Sequence, residues 1–93
     1  MITAELLADF KSRMRIFHDT EDDNLEWLLE SSYRVIQARC GAFDITESVE
    51  GKELVFERAR YAYHDSVEYF EENFLTQLHS FGMSQVVIDD ETV

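Results

Sequence analysis

The chain contains no proline and only three glycines, so few of its residues interrupt regular secondary structure. Its single cysteine, Cys40, excludes an intrachain disulfide and is typical of proteins from a reducing compartment. No apolar run approaches the roughly 18 residues that cross a bilayer. The N-terminus also lacks the basic and then apolar layout of a signal peptide. These absences predict a soluble, cytoplasmic and mainly helical chain.

Basic residues are also scarce. Eight lysines and arginines face twenty aspartates and glutamates, which gives a formal net charge of −12. The acidic excess is concentrated in residues 41–93, which hold three basic and twelve acidic side chains. General DNA binding depends on basic side chains that displace counterions, so an acidic domain of this composition is a poor general binder of DNA phosphates. It favours a basic partner, or a passage to which nucleic acid must not bind.

Motifs that carry chemistry are missing as well. Asp19, Glu21 and Asp23 follow the ligand spacing of a calcium loop, but Asn24 stands where such a loop requires glycine. No cysteine pair, HExxH motif, glycine-rich phosphate loop or catalytic constellation occurs. We therefore predict that the protein is not an enzyme, and that it holds no cofactor and no metal.

The apolar pattern predicts an all-α fold, a small bundle of three main helices over residues 4–13, 20–40 and 51–81. Thr3 is the predicted N-cap of the first helix, Thr20 begins the second and Gly41 ends it. Phe43 and Ile45 are expected to anchor the loop that follows. We expect residues 1–82 to form one helical domain, near the lower size limit for a single core, and residues 83–93 to form an acidic C-terminal arm.

The third predicted helix is the most informative segment. Read as one continuous helix, it carries a single apolar stripe formed by Phe56, Ala59, Tyr63, Val67, Phe70, Phe74, Leu78 and Phe81. The opposite, charged face includes Glu57, Asp65, Glu68 and Glu72. Leu54 and Tyr61 fall outside the stripe, which makes them candidates for a subunit contact. The β-prone run Gln85, Val86, Val87 and Ile88 is either a flexible arm or a segment that docks on another subunit.

Two segments together resemble a known family. Residues 57–75, with the sequence ERARYAYHDSVEYFEENFL, are similar to the C-terminal helix of head–tail connector (adaptor) proteins from tailed phages of Gram-positive hosts. Residues 18–29, with the sequence HDTEDDNLEWLL, are similar to the acidic opening of that family's second helix. The resemblance covers most of residues 4–81 and consists of capping and packing patterns without a catalytic signature.

The resemblance implies a structural subunit of the virion, assembled in the host cytoplasm. It implies a homo-oligomeric ring of about twelve or thirteen copies that docks beneath the portal protein after DNA packaging. The ring would extend the channel towards a tail-side connector or stopper protein, and DNA would pass through without specific binding. Asp65, Glu68 and Glu72 are then candidates for the channel wall, whereas Leu54, Tyr61 and residues 85–88 are candidates for subunit or portal contacts.

Two other classes of function remain open at this point. An acidic protein that mimics DNA could occupy a basic nucleic-acid-binding site, and the net charge of −12 is compatible with this role. A small helical regulator could instead bind a partner protein through a groove. Neither of these proteins would need to form a ring, so the mass of the protein in solution distinguishes them from a connector.

Overall fold

The computed structural model describes residues 2–86. Over these residues the fold is all-α, as predicted, and no β-strand occurs. Residues 2–86 form five α-helices and one 3₁₀ turn, in this order: α1 (Ala4–Met14), α2 (Asp22–Cys40), α3 (Val49–Tyr63), the 3₁₀ turn (Val67–Tyr69), α4 (Phe70–Asn73) and α5 (Leu75–Ser84).

Helix α1 has a well-defined cap at each end. At its start the Thr3 hydroxyl accepts a hydrogen bond from the backbone N–H of Leu6 at 3.1 Å, as the N-cap prediction requires. At its end Arg15 adopts the left-handed conformation with φ of 60°. The N–H groups of Arg15 and Ile16 bond back to the carbonyls of Ser12 and Lys11. This arrangement is a Schellman motif, and it reverses the chain direction directly after the helix.

Helix α2 begins two residues later than predicted. Thr20 does not cap it, because the threonine hydroxyl lies 2.9 Å from Nδ1 of His18 instead. The helix starts at Asp22. The acidic side chains in its first turn interact favourably with the positive end of the helix dipole. It ends at Cys40, and Gly41 with φ of 105° supplies the positive φ that glycine adopts without strain.

The predicted third helix over residues 51–81 is wrong as a single element. Helix α3 begins earlier, at Val49, where the Ser48 hydroxyl accepts a hydrogen bond from the N–H of Gly51 at 3.0 Å. It stops at Tyr63, because Asp65 adopts the left-handed conformation with φ of 58°. Aspartate is one of the few residues other than glycine that tolerates this conformation.

The break after α3 closes with the same motif as the end of α1. The N–H of Asp65 donates to the carbonyl of Ala62, and the N–H of Ser66 donates to the carbonyl of Tyr61 at 2.8 Å. The Ser66 hydroxyl also reaches the Tyr61 carbonyl, at 3.3 Å. The last carbonyls of α3 are therefore satisfied locally, and the chain turns back towards α3 instead of continuing as a helix.

The turn changes which side chains are buried. Phe70 is 3% exposed, and its ring meets the Tyr61 ring edge-on at a centroid distance of 5.7 Å. Leu54 is only 5% exposed and belongs to the core, so its predicted position outside the buried stripe is wrong. The prediction of a single buried stripe is wrong here because α5 returns to pack beside α3, which buries a second face of α3.

Helix α2 forms the centre of the core and runs antiparallel to α3. The Tyr63 hydroxyl donates to Glu21 near the start of α2, and Arg58 donates to the fully buried hydroxyl of Ser32 further along. Helix α1 joins this pair through its own apolar face. The loop after α2 is anchored as predicted, since Ile45 is buried.

Candidate functional site

A groove lies between α3 and α5. Its volume is about 810 Å³, and it is open along one side. The lining residues come from α3, from α5 and from Phe74 between α4 and α5: Glu50, Glu53, Leu54, Glu57, Phe74, Thr76, Gln77, Ser80 and Phe81. The groove exists because the chain reverses after α3 and brings α5 alongside it.

The groove combines an apolar floor with an acidic wall. Leu54 and Phe81 are buried beneath it and connect it to the core. Glu50, Glu53 and Glu57 follow each other along α3 at spacings of three and four, so their carboxylates lie along one edge. Glu57 pairs with Arg60, whereas no described residue forms an ion pair with Glu50 or Glu53. Such a surface suits a partner that carries an apolar side chain together with a positive charge.

The opposite wall of the groove is polar but uncharged. It is formed by one side of α5, where Thr76, Gln77 and Ser80 are exposed. These side chains can donate and accept hydrogen bonds without adding charge. The net charge of the groove is therefore set by the glutamates of α3.

The predicted channel residues are exposed, but they do not share one helical face. Asp65 lies in the turn after α3, Glu68 in the 3₁₀ turn and Glu72 in α4. The chain reversal at Asp65 separates them from the geometry of a continuous helix. No ion pair joins these three carboxylates to another described residue, in contrast to Glu71, which Arg39 contacts at 2.7 Å. Their role at a channel wall stays a prediction.

The predicted contact residues have different environments. Leu54 lies in the floor of the groove. Tyr61 is half-buried, and its hydroxyl accepts a hydrogen bond from Asn73 at 3.0 Å.

Gln85 donates from Nε2 to the carbonyl of Ala42 at 2.6 Å, which ties the end of α5 to the loop after α2. Val86 is 55% exposed. Val87 and Ile88 lie outside the described residues.

The sequence reasoning missed two exposed aromatic side chains. Phe17 is 85% exposed in the turn after α1, and Trp27 is 65% exposed on the outer face of α2. Large exposed rings are enriched at protein contacts. The signal for Phe17 was its place in the short connection over residues 15–19, outside every predicted helix.

Cys40 is a core residue. It is 6% exposed, and its thiol donates to the carbonyl of Leu78 at 3.3 Å. Burial raises the pKa of the Cys40 thiol above its usual 9.0. A protonated, enclosed thiol is a poor nucleophile, so this residue links α2 to α5 through packing.

Residues 2–86 contain neither a metal-binding cluster nor a membrane-spanning helix. No group of three or more histidine, cysteine, aspartate or glutamate side chains in this range is arranged to hold a metal ion. No helix in the same range is long and apolar enough to cross a membrane.

Comparison of the chain with protein-family models, with curated proteins and with solved structures gives no match.

Proposed function

We propose that this protein is a structural subunit of a phage head–tail connector. In this role it assembles into a ring of about twelve or thirteen copies, docks under the portal and continues the DNA channel towards the tail. The observation that carries the proposal is the acidic groove between α3 and α5, which suits a protein contact. The resemblance of residues 57–75 and 18–29 to connector proteins selects this class of assembly.

The distribution of charge supports passage of DNA without binding. The net charge is −12, and Asp65, Glu68 and Glu72 are exposed without ion pairs to described residues. Carboxylates on a channel wall repel phosphates, so the duplex slides past them. We assign these three residues to the channel as part of the proposal.

The assembly also requires contacts above and below the ring. We assign residues 1–82 to the ring body and residues 83–93 to an arm that reaches the portal or a neighbouring subunit. In the described part of this segment, Met83 and Ser84 still belong to α5, and Gln85 is bound to Ala42. A tail-side connector or stopper protein would cover the other end of the ring in the virion.

The mass of the protein in solution tests this proposal first. Light scattering is measured on the protein alone and then with the portal of the same phage. A closed assembly near a dozen copies, formed alone or only with the portal, supports the connector function. A monomer that ignores the portal contradicts it.

A second experiment tests the channel assignment. Virions that carry Glu68→Lys together with Glu72→Lys should eject DNA more slowly, because the two new cations attract phosphates. Glu26→Lys on α2 is the matched control, since Glu26 is also exposed. If the double variant and the control eject DNA at the same rate, Glu68 and Glu72 do not line the channel.

The DNA-mimic alternative rests on the same unpaired carboxylates. In that case the protein stays monomeric or dimeric and captures a basic nucleic-acid-binding protein, such as a restriction enzyme. A helical regulator would likewise bind one partner through the groove and form no ring. The light-scattering experiment separates both alternatives from the connector.

A further inference from the structure

We propose that the groove between α3 and α5 receives the Arg15–Phe17 turn of a second copy of this chain. The two surfaces would form a head-to-tail contact that repeats from subunit to subunit. This inference rests on the proposed function, because a ring subunit must contact its own copies. It adds the residues that make the contact.

The Arg15–Phe17 turn is an exposed protrusion whose start is tied to α1 by backbone hydrogen bonds. Arg15 is held in the left-handed conformation by two backbone hydrogen bonds to α1, and Ile16 is buried with 8% exposure. Phe17 then points away from the core with 85% of its surface exposed. Because backbone hydrogen bonds already hold Arg15 and Ile16, binding would have to order mainly the side chains of Arg15 and Phe17.

The protrusion also carries an unpaired positive charge. Arg15 is exposed, and no described residue forms an ion pair with it. Its neighbour Lys11 differs, since Asp19 and Asp22 contact its ammonium group at 2.8 and 2.6 Å. Arg15 and Phe17 therefore present one cation and one aromatic ring side by side.

The groove offers the matching features in the same combination. Phe17 can pack on the apolar floor formed by Leu54 and Phe81, while Arg15 faces Glu50 and Glu53 along the edge of α3. Specific protein contacts usually bury an aromatic ring at their centre and place opposite charges of the two partners against each other at the rim. The acidic continuation of the chain, with Asp89 and Asp90, has the same sign of charge as the groove and is a poorer occupant.

The two surfaces belong to opposite ends of α2. Phe17 shares a shallow cleft with Asp22, the first residue of that helix. The groove lies at the other end, where Gly82, next to Phe81, approaches Cys40, the last residue of α2. A helix of 19 residues is about 28 Å long, so the turn cannot enter the groove of its own subunit. A contact between unlike surfaces of identical chains closes into a ring or continues as a filament.

Disulfide trapping tests the contact directly. The double variant Phe17→Cys/Gln77→Cys is oxidised mildly at high protein concentration, and the products are separated without reducing agent. We expect a ladder of covalent multimers, and in an equimolar mixture of the two single variants a dimer that mass spectrometry shows to link residue 17 to residue 77. Cys40 does not compete, because its thiol is buried.

The matched control is Trp27→Cys/Gln77→Cys, which moves the first thiol to another exposed aromatic position. A ladder of equal yield from the control and the test variant overturns the inference. The absence of a linkage between residues 17 and 77 also overturns it. Positions 17, 27 and 77 are all exposed, so circular dichroism should show the same helical fold for all variants.

Alanine and charge-reversal substitutions measure the strength of the contact between subunits. Phe17→Ala should weaken self-association about thirtyfold, as is usual for a central aromatic contact, whereas Trp27→Ala should leave it unchanged. Arg15→Asp should weaken it about tenfold, and Glu53→Arg in the same chain should restore it. Aspartate is chosen because it tolerates the left-handed conformation of residue 15. No recovery in the double variant would contradict the pairing of Arg15 with the groove.

The outcomes separate this inference from the proposed function. A ring that forms with the portal but gives no linkage between residues 17 and 77 leaves the connector function standing and overturns the contact. A linkage without any closed assembly, alone or with the portal, keeps the contact and contradicts the connector function.

Discussion

The ring of Phe43 occupies the space that a side chain at Gly51 would need. A Cβ atom built on Gly51 would overlap the edge of the Phe43 ring and would lie 3.0 Å from Cζ of Phe81. Phe43 in turn meets the rings of Tyr33 and Phe81 edge-on, at centroid distances of 5.2 and 5.1 Å. The glycine in the first turn of α3 is therefore required by packing between the loop, α2 and α5.

We predict that Gly51→Ala destabilises the protein by about 1–3 kcal/mol, because the added methyl group displaces the Phe43 ring. In an open helix position the same change would stabilise by about 1 kcal/mol. Gly82→Ala is the matched control, since its nearest neighbour is Cα of Cys40 at 3.6 Å, an ordinary contact distance. Urea unfolding followed by circular dichroism measures both. If the two variants changed the free energy of unfolding equally, the Phe43 ring would move aside without cost.

The loop after α2 depends on one hydroxyl group. The Tyr33 hydroxyl donates to the carbonyl of Phe43 at 2.7 Å and accepts from the N–H of Ile45 at 3.2 Å. We predict that Tyr33→Phe costs about 1–3 kcal/mol, because it leaves the buried N–H of Ile45 without an acceptor. Tyr69→Phe should change the free energy of unfolding by less than about 0.5 kcal/mol, since Tyr69 is 56% exposed. A similar loss in both variants would contradict this role of Tyr33.

Part of this fold could be predicted from the sequence. The apolar spacing along α2 and the glycine at its end identify that helix, and Thr3 identifies the start of α1. The end of α3 could not be predicted in the same way. It depends on a left-handed aspartate, Asp65, whose conformation leaves no trace in the hydropathy pattern because the residues on both sides keep a helical period.

The groove between α3 and α5 could not be predicted from the sequence either, because it depends on the same chain reversal at Asp65. Leu54 and Phe81 line one groove only because the chain reverses between them. On a single helix they are 27 residues apart, which is about 40 Å. The acidic character of α3 was visible in the sequence, but its position opposite α5 follows from the tertiary structure.

The break after α3 can be tested by substitution at Asp65. Its side chain is exposed, so a change there acts mainly through the backbone. We predict that Asp65→Val destabilises by about 1–2 kcal/mol, because a β-branched residue is strained at φ of 58°. Asp65→Asn should be nearly neutral, since asparagine tolerates this region. If valine and asparagine gave the same free energy of unfolding, the chain would continue as a helix through residues 64–66.

The ion pair between α1 and α3 should make stability depend on acid pH. Lys52 contacts Asp9 at 2.7 Å, and this hydrogen bond holds the pKa of the Asp9 carboxyl below its usual 3.8. A lowered carboxyl pKa stabilises the folded state fully above pH 3.8, and the contribution disappears as the pH falls through the lower folded-state pKa. Both side chains are about one-third exposed, so the pair contributes only about 0.5 kcal/mol.

We therefore predict that the difference in unfolding free energy between the wild type and Lys52→Met narrows between pH 7 and pH 2. A residual difference should remain, because the Lys52 ammonium also lies 5.6 Å from the centre of the Phe56 ring, and this contact does not depend on Asp9. In an Asp9→Asn background the effect of Lys52→Met should no longer vary with pH over this range. Urea titrations of the four proteins at each pH measure the coupling directly. If the difference still narrowed in the Asp9→Asn background, another carboxyl group would control the response. If the difference between the wild type and Lys52→Met stayed constant from pH 7 to pH 2, the pair with Asp9 would not stabilise the fold, and α1 would be held to α3 by the Phe10–Phe56 contact instead.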